Sequence, residues 1–222
     1  MDNGISAFLF DNQAHGDDTY MIRELDSQSV LDVVLDGVSM GKGSVASQLT
    51  VEKLKKCHIK NKEDVIKCFV EANEELYDQT NGYSLTTLTA CLKIGNQLTV
   101  INSGDSPAFL IRNNQMTELT VLDKIPGELV SLTNAVGIGP EFAYHLKQIQ
   151  LKPEDKFILV TDGISDNVYP EELLDISKAK TPEKAITALQ KLMSEKQNTN
   201  QGREDRFGRF KPDDMTGIVR YF

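Results

Sequence analysis

Two periodicities divide the chain. Residues 4–10, 19–22 and 31–35 carry apolar side chains in alternation or in short unbroken runs, which predicts strands. Leu31, Val33 and Leu35 alternate with Asp32, as a half-buried strand should. Val45, Ala46, Leu49, Val51 and Leu54 then follow a helical spacing, and Val65, Phe69, Ala72 and Leu76 mark a second helix, with Asn61 and Asp64 as its cap and Asn81-Gly82 as its end. Period two returns at Leu88, Ala90, Leu92 and Ile94, and continues through 98–101, 108–111 and 116–120, with turns at Gly95-Asn96 and Asn113-Asn114. The stretch 124–140, richer in Gly and Pro, is expected to be irregular. Strands at 144–151 and 156–160 lead into helices near 171–176 and from Thr181-Pro182, the latter buried along Ala185, Leu189 and Leu192. Residues 197–211 read as a mobile surface loop before a last strand at 215–222.

This order is strands, two helices, strands, two helices, strand. It lacks the strict alternation of a doubly wound parallel sheet. The expected fold is α+β: a four-layer α-β-β-α sandwich in which two central antiparallel sheets are flanked by helix pairs. Residues 1–222 should form a single domain, since no linker interrupts the pattern.

Composition changes this picture little, and charge narrows the partners. A net charge of −9 disfavours nucleic acid and anionic membranes as partners. Cys57, Cys68 and Cys91 are odd in number and widely spaced, so no disulfide framework or zinc site is expected, and packing roles are assigned to all three. With neither a leader-like N-terminus nor a membrane-length apolar run, the expected location is cytoplasmic.

The candidate chemistry lies in carboxylates. Val33-Val34-Leu35-Asp36-Gly37 delivers an aspartate to the end of an apolar strand, and Phe157-Ile158-Leu159-Val160-Thr161-Asp162-Gly163 repeats the design. Asp17-Asp18, Asp105, Asp166 and Asp213-Asp214 also fall at strand–loop junctions. A buried carboxylate is costly without a counter-charge, and oxygen ligands without His or Cys select hard cations such as Mg²⁺ or Mn²⁺. Two such ions can activate a water and clamp a phosphoryl group.

Val34-Leu35-Asp36-Gly37-Val38-Ser39-Met40-Gly41-Lys42-Gly43 resembles the Asp-Gly motif of the metal-dependent protein phosphatases, the type 2C Ser/Thr phosphatases. Gly16-Asp17-Asp18 is similar to their opening acidic pair, Ser84-Leu85-Thr86-Thr87 to their Gly-Thr-Thr strand, and Asn102-Ser103-Gly104-Asp105-Ser106 to their Gly-Asp-Ser turn. Thr161-Asp162-Gly163-Ile164-Ser165-Asp166 resembles their Ser-Asp-Gly segment, and Pro212-Asp213-Asp214-Met215-Thr216 their closing Asp-Asn-hydrophobic-Thr. The resemblance implies a binuclear Mn²⁺ or Mg²⁺ centre. Asp36 would bridge both ions, the Gly37 carbonyl would hold one, and Asp162 and Asp214 would complete the other. Asp18 would join the metal set and Asp17 would act through bound waters, while Asp105 and Asp166 match positions for a third ion.

The implied activity is hydrolysis of phosphoserine or phosphothreonine in a phosphorylated protein, with Asp36, Asp162 and Asp214 as the catalytic set. The family's phosphate-gripping arginine is replaced here by Gln13, and Pro107 stands where another arginine is usual. His15 and Lys42 are the nearest candidates for phosphate contact. The alternative is a phosphatase-like binding or regulatory module with little or no turnover. Gly41-Lys42-Gly43 lacks P-loop spacing, so a kinase or NTPase is not supported.

Overall fold

In the computed structural model, which describes residues 3–38, 42–125, 128 and 131–222, the strands assemble into two antiparallel sheets of five. One sheet runs β1 (Ile5–Asp11), β10 (Met215–Tyr221), β9 (Lys156–Val160), β6 (Ala108–Arg112), β7 (Gln115–Glu118). The other runs β2 (Thr19–Asp26), β3 (Ser29–Leu35), β4 (Leu88–Ile94), β5 (Gln97–Ser103), β8 (His145–Gln150). All pairings are antiparallel. The first and last strands are neighbours: β1 pairs with β10, and β2, next in sequence, lies in the other sheet.

Helices α1 (Gly43–Lys56) and α2 (Lys62–Thr80) cover the β2–β8 sheet, where Leu31, Val33, Leu35, Leu54, Phe69 and Leu76 share an apolar layer. On the other side, α4 (Pro170–Ser177) and α5 (Pro182–Thr199) bury Leu173, Ala185 and Leu189 against Ile158, Val160 and Val219. A third layer between the sheets holds Val34, Val100, Leu110, Phe157, Leu159 and Ile218. The architecture is therefore the α-β-β-α sandwich that the pattern predicts. The caps behave as the sequence requires. Asn61 Oδ1 accepts from the Asp64 amide at 2.9 Å while the Asp64 carboxylate accepts from the Asn61 amide at 3.3 Å, and the Thr181 hydroxyl accepts from the Lys184 amide ahead of Pro182.

Strand β3 departs from expectation because it is buried throughout, not half-buried. Its Asp32 faces the inter-sheet layer and is held bidentately by Arg220 of β10, at 2.7 and 2.8 Å. A buried, fully paired ion pair of this kind fixes how the two sheets meet more than it adds to stability. Two further expectations fail. Cys57 and Cys68 are joined as a disulfide, their Cα atoms 6.3 Å apart, because the end of α1 and the first turns of α2 pack side by side. Residues 197–211 are not a free loop: Arg203 Nη1 donates to the Ser165 carbonyl at 2.8 Å, and the Glu204 amide donates to the Tyr169 hydroxyl at 2.8 Å. Among the described residues no helix is long and apolar enough to cross a membrane.

Candidate active site

Strand β3 ends at Leu35 and β9 at Val160, one in each sheet, so the residues that follow them meet where the sandwich opens. Asp36 leaves β3 with its backbone fixed by β4's approach: the Thr87 amide donates to the Asp36 carbonyl at 2.8 Å, Thr86 Oγ1 donates to the same carbonyl at 3.0 Å, and the Asp36 amide donates to Thr87 Oγ1 at 3.1 Å. Asp162 begins the single turn α3 (Asp162–Ser165). A cleft of about 240 Å³ opens there, lined by His15, Asp36, Gly37, Val38, Thr87, Asp105, Leu132, Asp162, Lys211 and Asp213. A larger cavity of about 610 Å³ lies at the opposite ends of β9 and β10, around Arg112, Asp155 and Tyr221. Its main charges already satisfy each other, Arg112 Nε and Nη2 donating to the two oxygens of Asp155 at 2.8 and 2.6 Å. The chemistry therefore belongs to the smaller cleft.

Gly37 is present for a steric reason. A Cβ on it would lie 2.4 Å from the backbone carbon and oxygen of Gly43 and 2.7 Å from the Asp17 carbonyl oxygen, and a Cβ on Gly43 would meet Gly37 in return. Two backbones thus touch at the mouth of the cleft, and the Gly37 amide donates to the Asp17 carbonyl at 3.2 Å. Asp17 is further built in, its carboxylate accepting from the Ser44 amide at 2.8 Å at the start of α1.

The predicted carboxylates separate into two groups. Asp36, Asp105 and Asp162 line the cleft. Burial and the nearby Asp162 push the Asp36 pKa well up, and its carboxyl donates a hydrogen bond to Asp162. Burial alone would raise Asp162 too, but the Lys211 ammonium and that hydrogen bond outweigh it and hold its pKa low. Asp18 and Asp166 are buried behind the lining. Asp18 accepts from Thr216 Oγ1 at 2.7 Å and Thr161 Oγ1 at 2.9 Å, yet burial pushes its pKa to about 8. Asp105 and Asp166 are bridged by Lys124, whose ammonium lies 2.9 and 3.7 Å from them.

Asp214, expected in the metal set, does not line the cleft. It is buried and its carboxylate is fully engaged by backbone, accepting from the amides of Ala14 and His15 at 2.9 Å and of Asp17 at 2.8 Å. Asp213 takes the cleft position in its place. The amides of the 14–17 segment draw the Asp214 carboxylate away, and its neighbour in the loop before β10 is left to face the cleft. Of the candidate phosphate ligands, His15 lines the cleft with its ring nitrogen 3.7 Å from Asp213, whereas Lys42 is exposed at the start of α1 and outside the lining. Ser39, Met40 and Gly41 of the predicted glycine-rich loop lie outside the described residues.

Lys211 carried no signal in the sequence, where it reads as one more solvated lysine. In the structure its ammonium lies 2.7 Å from Asp162, 2.9 Å from Asp213 and 3.3 Å from Asp166. Burial lowers its pKa, and the facing Asp162 and Asp213 raise it by more, so it is firmly charged. Arg206 adds a further cation 3.5 Å from Asp166. As they stand, no three His, Cys, Asp or Glu side chains among the described residues converge closely enough to hold a metal ion. The donor set itself suits a hard divalent cation: Asp36, Asp162 and Asp213 offer oxygen only, they crowd one opening, and Asp36 is driven to keep a proton for want of counter-charge. Between Asp105 and Asp166, the pair matched to a third ion, lies the Lys124 ammonium.

Comparison with known proteins bears on the family and the fold. Residues 28–219 match the family model described as Stage II sporulation protein E (SpoIIE). A serine/threonine protein phosphatase PstP of Mycobacterium tuberculosis is 31% identical over 106 residues, which cover 40% of this chain and 21% of that protein, so the match spans about a fifth of the relative's length. The serine/threonine phosphatase stp of Listeria welshimeri is 26% identical over 200 residues, covering 75% of this chain and 79% of its own. Among solved structures, a bacterial serine phosphatase superposes with a TM-score of 0.82 at 20% identity, covering 99% of this chain and 98% of that one. The catalytic domain of PstP in complex with two manganese ions superposes with a TM-score of 0.76 at 22% identity, covering 98% and 97%.

Proposed function

This chain belongs to the Stage II sporulation protein E (SpoIIE) family, and with it to the metal-dependent Ser/Thr protein phosphatases; on that premise we propose that it hydrolyses phosphoserine or phosphothreonine in phosphorylated proteins. The observation that carries the reading is the cleft itself, where Asp36 and Asp162 hang from the ends of two strands in two sheets and Asp213 closes the third side. A divalent pair, Mn²⁺ or Mg²⁺, would be held by Asp36, the Gly37 carbonyl, Asp162 and Asp213. When bound, it supplies an acidified water and neutralises phosphate charge without a covalent enzyme intermediate.

The chain's own residues set the geometry. Thr86 and Thr87 hold the Asp36 backbone, which fixes where its side chain enters the cleft. The Asp214 carboxylate gathers the amides of Ala14, His15 and Asp17 and thereby positions the His15 ring at the rim, beside Asp213. Asp36 must surrender its proton before it can serve as a ligand, so activity should rise with pH. The whole of residues 1–222 is proposed as one such domain, acting in the cytoplasm.

A second reading, a module that binds a phosphorylated partner with little turnover, is favoured by one observation: lysine ammonium groups pair with three of the cleft carboxylates, Asp105, Asp162 and Asp213. The two readings divide on one assay, hydrolysis of an aryl phosphate and a phosphothreonine peptide with Mn²⁺ and with EDTA. Phosphatase function requires turnover that EDTA stops and Asp36→Asn abolishes. Binding of the phosphopeptide without turnover in either condition would select the module.

A further inference from the structure

A phosphate monoester entering the cleft carries close to two negative charges into a space already lined by four aspartates, Asp36, Asp105, Asp162 and Asp213. Gln13 brings no positive charge and is not part of the lining. Among the described lining residues Lys211 is the one Lys or Arg side chain. Lys124 sits behind, bound to Asp105 and Asp166, and Arg206 is likewise turned to Asp166. Lys42 lies outside the cleft, and His15, half exposed at the rim, is charged only when protonated.

We propose that Lys211 is the residue that grips the substrate phosphate, and that its ammonium is held between Asp162 and Asp213 until divalent cations take those carboxylates from it. The inference rests on the phosphatase reading of the same cleft. Its physical basis is exchange. Nζ now occupies the position between the two carboxylates at 2.7 and 2.9 Å. A divalent ion needs the same oxygens, and two cations repel at that spacing. The lysine stem is flexible and its side chain keeps 20% of its surface exposed, so the ammonium can turn into the cleft without unfolding the segment that carries it. Once turned, it offers three donors to phosphate oxygens, as a point charge where an arginine would offer a planar fork. The lysine and the metals thus compete for carboxylates and cooperate on phosphate.

The test uses the full chain with Lys211→Met and Lys211→Arg. Mn²⁺ binding is titrated calorimetrically without phosphate, and inorganic phosphate binding is titrated at saturating Mn²⁺. Lys211→Met is expected to bind Mn²⁺ several-fold more tightly, since a competing cation is gone, and to bind phosphate about tenfold more weakly, the scale of one charge-assisted contact, with KM for an aryl phosphate raised in proportion. Lys211→Arg should recover phosphate binding to within about threefold. Phosphate affinity unchanged in Lys211→Met, or Mn²⁺ affinity that falls, would overturn the proposal and leave Lys211 as a structural clamp. Should Lys211→Met not fold, an Arg variant with wild-type Mn²⁺ affinity and no phosphate binding would overturn it equally. Wild-type protein that binds no Mn²⁺ and turns nothing over would instead remove the phosphatase reading on which the inference stands.

Discussion

At the scale of single residues, the adjacent aspartates before β10 are where structure and sequence part. Asp213 faces the cleft and Lys211, whereas Asp214 binds three backbone amides. Asp213→Asn should therefore weaken Mn²⁺ binding by about tenfold or more while leaving the melting temperature nearly unchanged, because the amide keeps the volume and removes the ligand charge. Asp214→Ala should do the reverse. It removes the acceptor of three part-buried amides, two of them on exposed residues that water can reach, at a cost of about 1–3 kcal/mol in all, and it frees the 12–17 loop. Calorimetric Mn²⁺ titration beside thermal melting separates the two, and equal loss of Mn²⁺ affinity in both variants would refute the assignment. Gly37→Ala is the sharper steric probe. Its Cβ would stand 2.4 Å from the Gly43 backbone, so the strand end carrying Asp36 must shift. We expect a stability loss of about 2 kcal/mol or more in a denaturant melt together with loss of Mn²⁺-dependent turnover.

At the scale of elements, the sheet-by-helix pattern was legible because each face has its own apolar set. Leu31, Val33 and Leu35 point to the helices and Val34 to the opposite sheet, so β3 announces a strand even though it is buried on both sides. Asp36 and Asp162 were legible for the same reason, a charge at the tip of an apolar run. What could not be read depends on partners distant in sequence. Asp32 looks solvent-facing until Arg220, 188 residues on, is placed beside it. Lys211 looks solvated until the turn after β9 brings Asp162 to it, and the choice between Asp213 and Asp214 depends on the amides of residues 14–17, about 200 positions earlier in the chain. The Cys57–Cys68 pair escaped because its spacing fits two separate helices as well as a clamp between them. That clamp closes a short loop, with a sequence separation of 11. Cys57→Ser should cost about 2–3 kcal/mol in oxidising buffer, from loop entropy returned to the unfolded chain. In excess dithiothreitol wild type and variant should melt together, and a difference that persists there would assign the loss to packing instead.

At the scale of the whole molecule, the sandwich holds its two sheets together along a shared apolar layer and lets them diverge at one end, where aspartates from both sheets face each other. Stability there must follow charge. Asp18, with its pKa pushed to about 8 by burial, is accommodated by the fold as a neutral acid. A carboxyl whose folded pKa is raised contributes stability that is complete below its unfolded value of 3.8 and is lost as pH rises through about 8. Asp36, Asp105, Asp166 and Asp213, all raised by burial, act in the same direction. The opposing groups act outside this range: Asp162, held low, weakens the fold only in acid, and Lys211, held high, only in strong alkali. Metal-free protein should therefore melt at progressively lower temperature from about pH 5 to about pH 8.5. Mn²⁺ should invert the trend. It binds the deprotonated carboxylates of the folded chain alone, so the stabilisation it gives grows with pH. Melting curves in EDTA and in Mn²⁺ at both ends of that range check the sign. A melting temperature in EDTA that climbs with pH would mean that the cleft carboxylates are already neutralised by Lys124 and Lys211, and that divalent ions have no charge there to relieve.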